Sequence, residues 1–330
     1  MQKSVNLEQK VKDAIKKQPL IKKAFKAFKI KQFNKFPTRI TLESTSRCNS
    51  QCITCEHKSM QRPKQDMPMA LFEKIINECA QYRHLITNLN LSFIGEPLLD
   101  ENIFKKIAIA RKKGIKQISF ICNGSLLTEE KAKNLIDSGI DFVTFSVDGA
   151  SKENFEKIRV GLNYESVVLN IKRLAELKKK LGVKKPFISI DMVQLELNEA
   201  ETELFKQQWV GLVDEIMVRP LHVWGGETIA QELIDYSKKL LPSGGEQRHP
   251  CFYLWKSMFI LQDGKTALCC MDVEGEGSYG DVNSSSIKDV WQGKKLKKIR
   301  ELHLGGEFGK IPICGRCNFY LAKGVPWWWI

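Results

Sequence analysis

From Arg39 onward, short apolar runs alternate with stretches of helical periodicity. The runs with strand character are RITLES (39–44), NLNLSF (88–93), KQISFIC (116–122), FVTFSVD (142–148), FISIDMV (187–193) and DEIMVRP (214–220). Between them, apolar positions recur at helical spacing over 69–81, 101–113, 128–138, 164–180 and 199–209. Thr128 ahead of EEKAKNLI, and Gly139 just beyond Ser138, are the start and stop signals of one such helix. Six strands separated by helices predict an α/β fold, with a parallel sheet of right-handed βαβ units. Closed or nearly closed, that sheet is a barrel whose chemistry collects at the C-terminal ends of its strands.

The rhythm stops near residue 222. LPSGGEQRHP (241–250) has the composition of a loop, and FILQDGKTALCC (259–270) predicts a hairpin turning at Asp263-Gly264. A Gly/Ser-rich loop (275–286), a short helix over 287–301 and a final cysteine pair follow. The expected organisation is an N-terminal arm (1–37), a barrel (38–222) and a small cysteine-bearing extension (223–330) without a core of its own.

Composition narrows the class. The chain has 330 residues, 43% hydrophobic and 27% charged, enough to bury a sizeable globular core. No apolar run reaches the roughly 18 residues of a membrane-spanning helix. The N-terminal residues lack the apolar centre of a signal peptide, so the expected location is cytoplasmic. The net charge of +14 is concentrated at one end, where residues 1–38 hold eleven lysines against Glu8 and Asp13. In LIKKAFKAFKIKQF (20–33), Ile21, Phe25 and Phe28 share one helical face among those lysines. Two readings fit this basic amphipathic arm: a packing helix with a solvated face, or attachment to an anionic membrane surface or partner. Nucleic acid is not expected, because no recognition motif accompanies the charge.

Of ten cysteines, seven fall in sets: Cys48, Cys52 and Cys55; Cys251 and Cys269; Cys314 and Cys317. In a chain of this size they read as metal or iron–sulfur ligands rather than as a disulfide framework. Cys79, in a helical pattern, and Cys122, at a strand end, are expected to be small buried apolar side chains. The stretch STSRCNSQCITCEHK (44–58) directly follows the first strand. Three thiolates there would hold three irons of a 4Fe–4S cluster and leave the fourth open to a small molecule. An open coordination position is what separates a catalytic metal site from a sealed structural one. The competing reading is structural zinc, completed by His57 or Glu56.

This triplet, with three and then two intervening residues, resembles the signature of the radical S-adenosylmethionine enzymes, over about residues 38–222. Gly95-Glu96-Pro97, after the second strand, resembles the family's segment that meets the methionine amino group. Cys122-Asn123-Gly124 ends the third strand as such segments do, and Ser146, opening SVDG, would face the cofactor from the fourth. Arg159 matches the arginine that pairs with the cofactor carboxylate, and Leu195 would lie against the adenine. Arg159 and Glu96 have the chemistry for a carboxylate and an ammonium group. The resemblance implies a partial (β/α)6 TIM-like barrel holding one 4Fe–4S cluster and S-adenosylmethionine. One departure is Thr54 before the third cysteine, where the family is often aromatic.

The spacing of Cys251, Gly264, Cys269 and the CGRC of Cys314 and Cys317 resembles the short SPASM or twitch extension. By that resemblance Cys251, Cys269, Cys314 and Cys317 ligate an auxiliary 4Fe–4S cluster, with Cys270 an adjacent substitute for Cys269. A zinc ribbon is the competing reading. The implied chemistry is reductive cleavage of S-adenosylmethionine to a 5′-deoxyadenosyl radical that takes a hydrogen atom from a small-molecule substrate. Extensions of this type occur in dehydrogenases of aminocyclitols and sugars and in enzymes that mature peptides. The leading expectation is an oxidoreductase oxidising or epimerising a hydroxyl-bearing carbon of such a substrate, served by a reductase or flavodoxin-like electron donor. The auxiliary cluster would accept the electron, and an anionic substrate would suit a basic protein. A peptide maturase and a non-catalytic iron–sulfur or zinc protein are the alternatives. His222 and Trp224, in PLHVWGG, would lie at the barrel mouth, with His222 a candidate base. Asp191 is expected only to hold its neighbours. The terminal VPWWWI (325–330) is read as a packed tail, a barrel cap, a membrane anchor or a partner site.

Overall fold

The computed structural model describes residues 33–221, 230–240 and 248–317. Most of the basic arm, His222, Trp224 and the tryptophan tail lie outside these residues. Eight strands form one sheet: β1 (Arg39–Leu42), β2 (Asn88–Asn90), β3 (Ile118–Cys122), β4 (Phe142–Ser146), β5 (Phe187–Gln194), β6 (Glu215–Pro220), β7 (Ser257–Ile260) and β8 (Thr266–Ala267). Their order is β6-β5-β4-β3-β2-β1-β7-β8, and every pairing is parallel except β7 with β8. Among the described residues the ladder is linear, so the fold is an α/β partial barrel open along one side.

Helices follow the strands of the barrel. They are α1 (Met69–Gln81), α2 (Ile103–Lys112), α3 (Glu129–Asp137), α4 (Lys152–Ile158), α5 (Tyr164–Lys180) and α6 (Thr202–Trp209). Beyond β6 come α7 (Gln231–Leu240), α8 (Tyr253–Lys256), α9 (Ile287–Gln292), α10 (Lys294–Leu304) and α11 (Pro312–Arg316). The two periodicities explain the layering. Alternate strand residues, among them Ile40, Leu42, Phe120, Val143, Phe145, Ile188 and Ile190, are buried in one core with Ile75 and Ile76 of α1, Ile107 of α2 and Ile171 of α5. The intervening residues Thr41, Asn90, Ser119, Thr144, Ser146 and Asp191 are only half-buried and face inward. On that inner face Ile121 is 49% exposed, so the lumen is not filled with side chains as in a closed barrel.

The expected hairpin is β7–β8, and its turn contains Gly264 at φ +90, where a Cβ would stand 2.2 Å from Asn283 Nδ2. The hairpin does more than the pattern foretells. All four residues of β7 are buried, and it pairs with the free edge of β1, Arg39 opposite Ser257 through Leu42 opposite Ile260. The sheet of the barrel therefore continues into the extension. The helix expected over 287–301 is two helices, broken at Gly293, which ends α9 and starts α10. Cys79 and Cys122 are buried as expected. No helix among the described residues is long and apolar enough to cross a membrane.

Candidate active site

The chain leaves β1 into the cysteine loop through Glu43, which is fully buried and ion-paired with Arg62. Glu43 Oε2 also accepts from Gln262 N at 3.1 Å, and Arg62 Nη1 donates to Gln262 Oε1 at 2.6 Å. Gln262 belongs to the β7–β8 turn, so this buried network ties the cysteine loop to the extension. Farther along, Ser50 Oγ lies 3.3 Å from Cys48 Sγ and 3.4 Å from Cys52 Sγ. Cys55 caps a single helical turn (Glu56–Ser59), its sulfur accepting from His57 N at 3.4 Å. His57 Nε2 donates to Ser46 O at 2.9 Å, which braces the loop. Burial pushes the Cys48 thiol up, and that of Cys55 up to about 11. Bare thiols of this kind are protonated at neutral pH, and binding metal must displace their protons.

Gln51 N and Ile53 N donate to Val160 O (2.8 Å) and Ile158 O (3.0 Å), clamping the loop on either side of Arg159. Arg159 Nε and Nη2 each lie 2.7 Å from Asp148 Oδ2, and Nη1 lies 3.8 Å from Cys52 Sγ. Asp148 Oδ1 accepts from Val193 N at 2.8 Å, which fixes the carboxylate between β4 and β5. Burial disfavours the guanidinium's charge, but Asp148 and then the sulfurs of Cys52 and Cys55 outweigh it and raise the pKa of Arg159.

Gly95 is where the second loop touches the first. A Cβ there would stand 2.3 Å from Thr45 O and 2.7 Å from Arg47 O, and Glu96 N donates to Arg47 O at 2.8 Å. Glu96 is 2% exposed. Its Oε1 accepts from Leu98 N and Cys122 Sγ, both at 3.1 Å, and its Oε2 from Asn123 N at 2.7 Å. The carboxylate thus braces the turn of Gly95, Glu96 and buried Pro97 against the end of β3. Burial raises its pKa, and these hydrogen bonds oppose the shift. Asn123 Nδ2 reaches back to Asn49 Oδ1 at 2.9 Å, inside the cysteine loop. Leu195 is 0% exposed and packs with Ile158 and Leu221, and half-buried Ile53 from between the cysteines joins them. Ser146 ends β4 opposite Asp191 of β5. The loops after β1 to β5 therefore bring Cys48, Cys52, Cys55, Gly95, Glu96, Pro97, Asn123, Ser146, Arg159 and Leu195 to one end of the sheet.

Asp191 acquires a place that a single strand residue does not announce. It faces inward with Arg219, whose Nε is 3.0 Å from Oδ1, yet the angle leaves Oδ1 without a hydrogen bond. Burial raises the Asp191 pKa, with Arg219 opposing. The signal available in sequence was only an acidic and a basic residue at inward positions of adjacent strands. Asp148 was equally silent, being part of the quoted SVDG without an assigned job.

In the extension, Cys251 precedes α8, Cys269 and Cys270 follow β8, Cys314 lies in α11 and Cys317 caps it. Burial pushes Cys251 up to about 12, and Cys317, Cys314 and Cys270 add to the rise. Cys269 is raised by burial and then by Cys270, Cys251 and Cys314, so these sulfurs feel one another. Cys269 and Cys270 pack beside Phe93 and Tyr253 on a small cluster of Phe259, Leu261 and Ala267. None of the ten cysteines is in a disulfide. No three His, Cys, Asp or Glu side chains among the described residues converge on a point where one ion would sit.

Two family models match the chain: Radical SAM superfamily over residues 42–204, and the SPASM iron-sulfur cluster-binding domain over residues 251–318. A Pyrococcus furiosus protein, the tungsten-containing aldehyde ferredoxin oxidoreductase cofactor-modifying protein, is 23% identical over 328 residues, covering 87% of this chain and 90% of that one. The structure of BtrN in complex with AdoMet and 2-DOIA superposes with a TM-score of 0.56 at 18% identity, covering 86% of this chain and 94% of that one. Streptococcus suis SuiB bound to the precursor peptide SuiA gives 0.65 at 14% identity, covering 83% and 70%. At those identities the structural likeness is one of fold. The two matched domains bring a 4Fe–4S cluster with S-adenosylmethionine, and further iron–sulfur in the extension. With both domains in this order on one continuous sheet, the chain belongs to the radical SAM superfamily and carries a SPASM domain.

Proposed function

We propose that Cys48, Cys52 and Cys55 hold three irons of the first 4Fe–4S cluster, and that the enzyme oxidises a hydroxyl-bearing carbon of a sugar or aminocyclitol-like substrate in the barrel lumen. The donor set fits: three unpaired thiols on one clamped loop, with a guanidinium beside the middle one. When bound, the cluster and S-adenosylmethionine supply a 5′-deoxyadenosyl radical, given one electron from an external reductase or flavodoxin-like donor.

The chain's own residues bind, aim and take up the proton. Arg159, held by Asp148, offers its cation to the cofactor carboxylate. Half-buried Ile53 offers apolar surface for the adenine, backed by the fully buried Leu195 and Ile158. Ser146 and Asn123 supply hydrogen-bonding groups from the ends of β4 and β3. Gly95, Glu96 and Pro97 keep the second loop against the first. Once substrate has lost a hydrogen atom from carbon, Asp191 takes the hydroxyl proton. Cys251, Cys269, Cys314 and Cys317 would hold the auxiliary cluster, which would supply an acceptor for the one electron lost as the alcohol carbon becomes a ketone. His222 lies outside the described residues, and the proton-accepting role falls to Asp191 on the geometry at hand.

The observation that carries this reading is the inner face itself. Asn90, Ser119, Thr144, Ser146 and Asp191 line a polar, partly open lumen, and a buried oxygen of Asp191 there is ion-paired with Arg219 without a well-aligned hydrogen bond. Such a lining suits a ligand rich in hydroxyl groups. The test is anaerobic incubation with S-adenosylmethionine, a reductant and a panel of cyclitols, aminocyclitols and sugars. It should give 5′-deoxyadenosine together with a ketone product. Cofactor cleavage that no polyol accelerates, with no ketone formed, would remove the substrate reading. A second reading rests on the Pyrococcus furiosus relative, which is matched along most of its length: the substrate would be a cofactor or its precursor.

A further inference from the structure

His303 of α10 stands between two cysteines that come from opposite ends of the extension. The ring is 1% exposed and meets Phe308 edge-on at 5.0 Å. Cys251 N lies 3.2 Å from Nδ1, and Nε2 lies 3.3 Å from Cys314 Sγ. A backbone amide can only donate, so Nδ1 is the bare nitrogen and the neutral ring carries its proton on Nε2. That proton is aimed at sulfur. Nearby, Arg248 donates to Cys314 O at 2.5 Å and lies over the Phe308 ring, so a cation completes the surroundings of the same helix. By contrast, Cys269 Sγ accepts from a backbone amide, Met271 N at 3.4 Å.

We propose that His303 is a positioning residue for the auxiliary cluster: it joins the Cys251 segment to α11 and donates a hydrogen bond to the Cys314 thiolate when that sulfur is bound to iron. This rests on the reading above in which Cys251 and Cys314 are ligands. Reduction adds negative charge that spreads onto the thiolates. A hydrogen bond to one of them stabilises the reduced state and raises the potential. A cluster poised higher is a better acceptor for an electron leaving a substrate radical. The ring does this as a neutral donor, so the net charge of the site is unaltered. Its two nitrogens also fix the distance between segments that the sequence places far apart.

The experiment uses the full chain with Cys48→Ala, Cys52→Ala and Cys55→Ala, so that only the auxiliary cluster contributes. After anaerobic reconstitution, iron content and a redox titration followed by electron paramagnetic resonance are compared among this parent, H303Q and H303M. Glutamine keeps an N–H donor, whereas methionine fills similar space without one. The expected result is equal iron in all three, a potential in H303Q near the parent's, and a lower potential in H303M. Equal potentials in H303M and the parent would overturn the inference, as would loss of the cluster from both variants, which would make His303 a packing residue. If the parent itself binds no iron, the ligand assignment has failed and the inference falls with it; this is read before any His303 variant is prepared.

Discussion

Arg159 sets two of its nitrogens 2.7 Å from Asp148 Oδ2 and turns the third toward Cys52 Sγ, 3.8 Å away. One side chain thereby measures the distance between the end of β4 and the cysteine loop. Its removal leaves the buried Asp148 charge without its partner, a loss of about 3 kcal/mol or more. R159A should lower the unfolding free energy by that order and weaken S-adenosylmethionine binding at least tenfold, with the iron content of the protein retained. R159K keeps the charge but not the fork, and should recover only part of the affinity. Equilibrium denaturation and binding titrations on the reconstituted protein check both.

Gly95 makes a sharper prediction, because the obstacle is backbone. In G95A the new Cβ would collide with Thr45 O and Arg47 O, at 2.3 and 2.7 Å, and the cysteine loop would have to move. Overpacking of this kind costs about 1–3 kcal/mol. Iron at the first site should fall while the auxiliary iron stays. A G95A protein with full iron content would show that the contact between the two loops does not govern the triplet.

Much of this was legible in the chain. The six barrel strands and the long helices form where the apolar periodicity places them, because each buries one face against the same core. The short elements were not legible: α4 has seven residues, too few to display a helical period, and it starts at a cap in which Ser151 accepts from Asn154 N while burying Phe155 and Ile158. The docking of β7 on β1 was hidden for a different reason. SMFI reads as a buried strand, but nothing local says which edge it joins. The triplet and the extension's cysteines stand out by their spacing, and the resemblance to known families supplies the roles expected of them. Asp148, Asp191, Arg219 and His303 could not, since each is a lone polar residue whose meaning comes from its register or a partner distant in sequence.

Asp191 gives a pH dependence with a definite sign. Burial raises its pKa above the ordinary aspartate value, so it takes up a proton at a higher pH than an exposed carboxylate does. A base must be deprotonated to act. Ketone formation should therefore fall on the acid side, with its inflection above the usual aspartate range, and D191N should reduce it about 100-fold or more. Cleavage of S-adenosylmethionine in D191N should be less affected than ketone formation. Equal loss of both would make Asp191 part of the cofactor site instead.

Glu96 is expected to be structural in a measurable way. Its two oxygens serve three donors at 2.7–3.1 Å. E96Q replaces one oxygen with a donor that faces Asn123 N–H or Leu98 N–H, at a cost of about 1–3 kcal/mol. Denaturation of the apoprotein reads this without any cluster present.

The most direct test of the central claim is iron and sulfide content after anaerobic reconstitution, in the wild type and in the variant with Cys48→Ala, Cys52→Ala and Cys55→Ala. Two independent 4Fe–4S clusters require about eight irons in the first protein and about four in the second. Equal iron in both proteins, or none in either, would contradict the assignment of the triplet and the chemistry built on it.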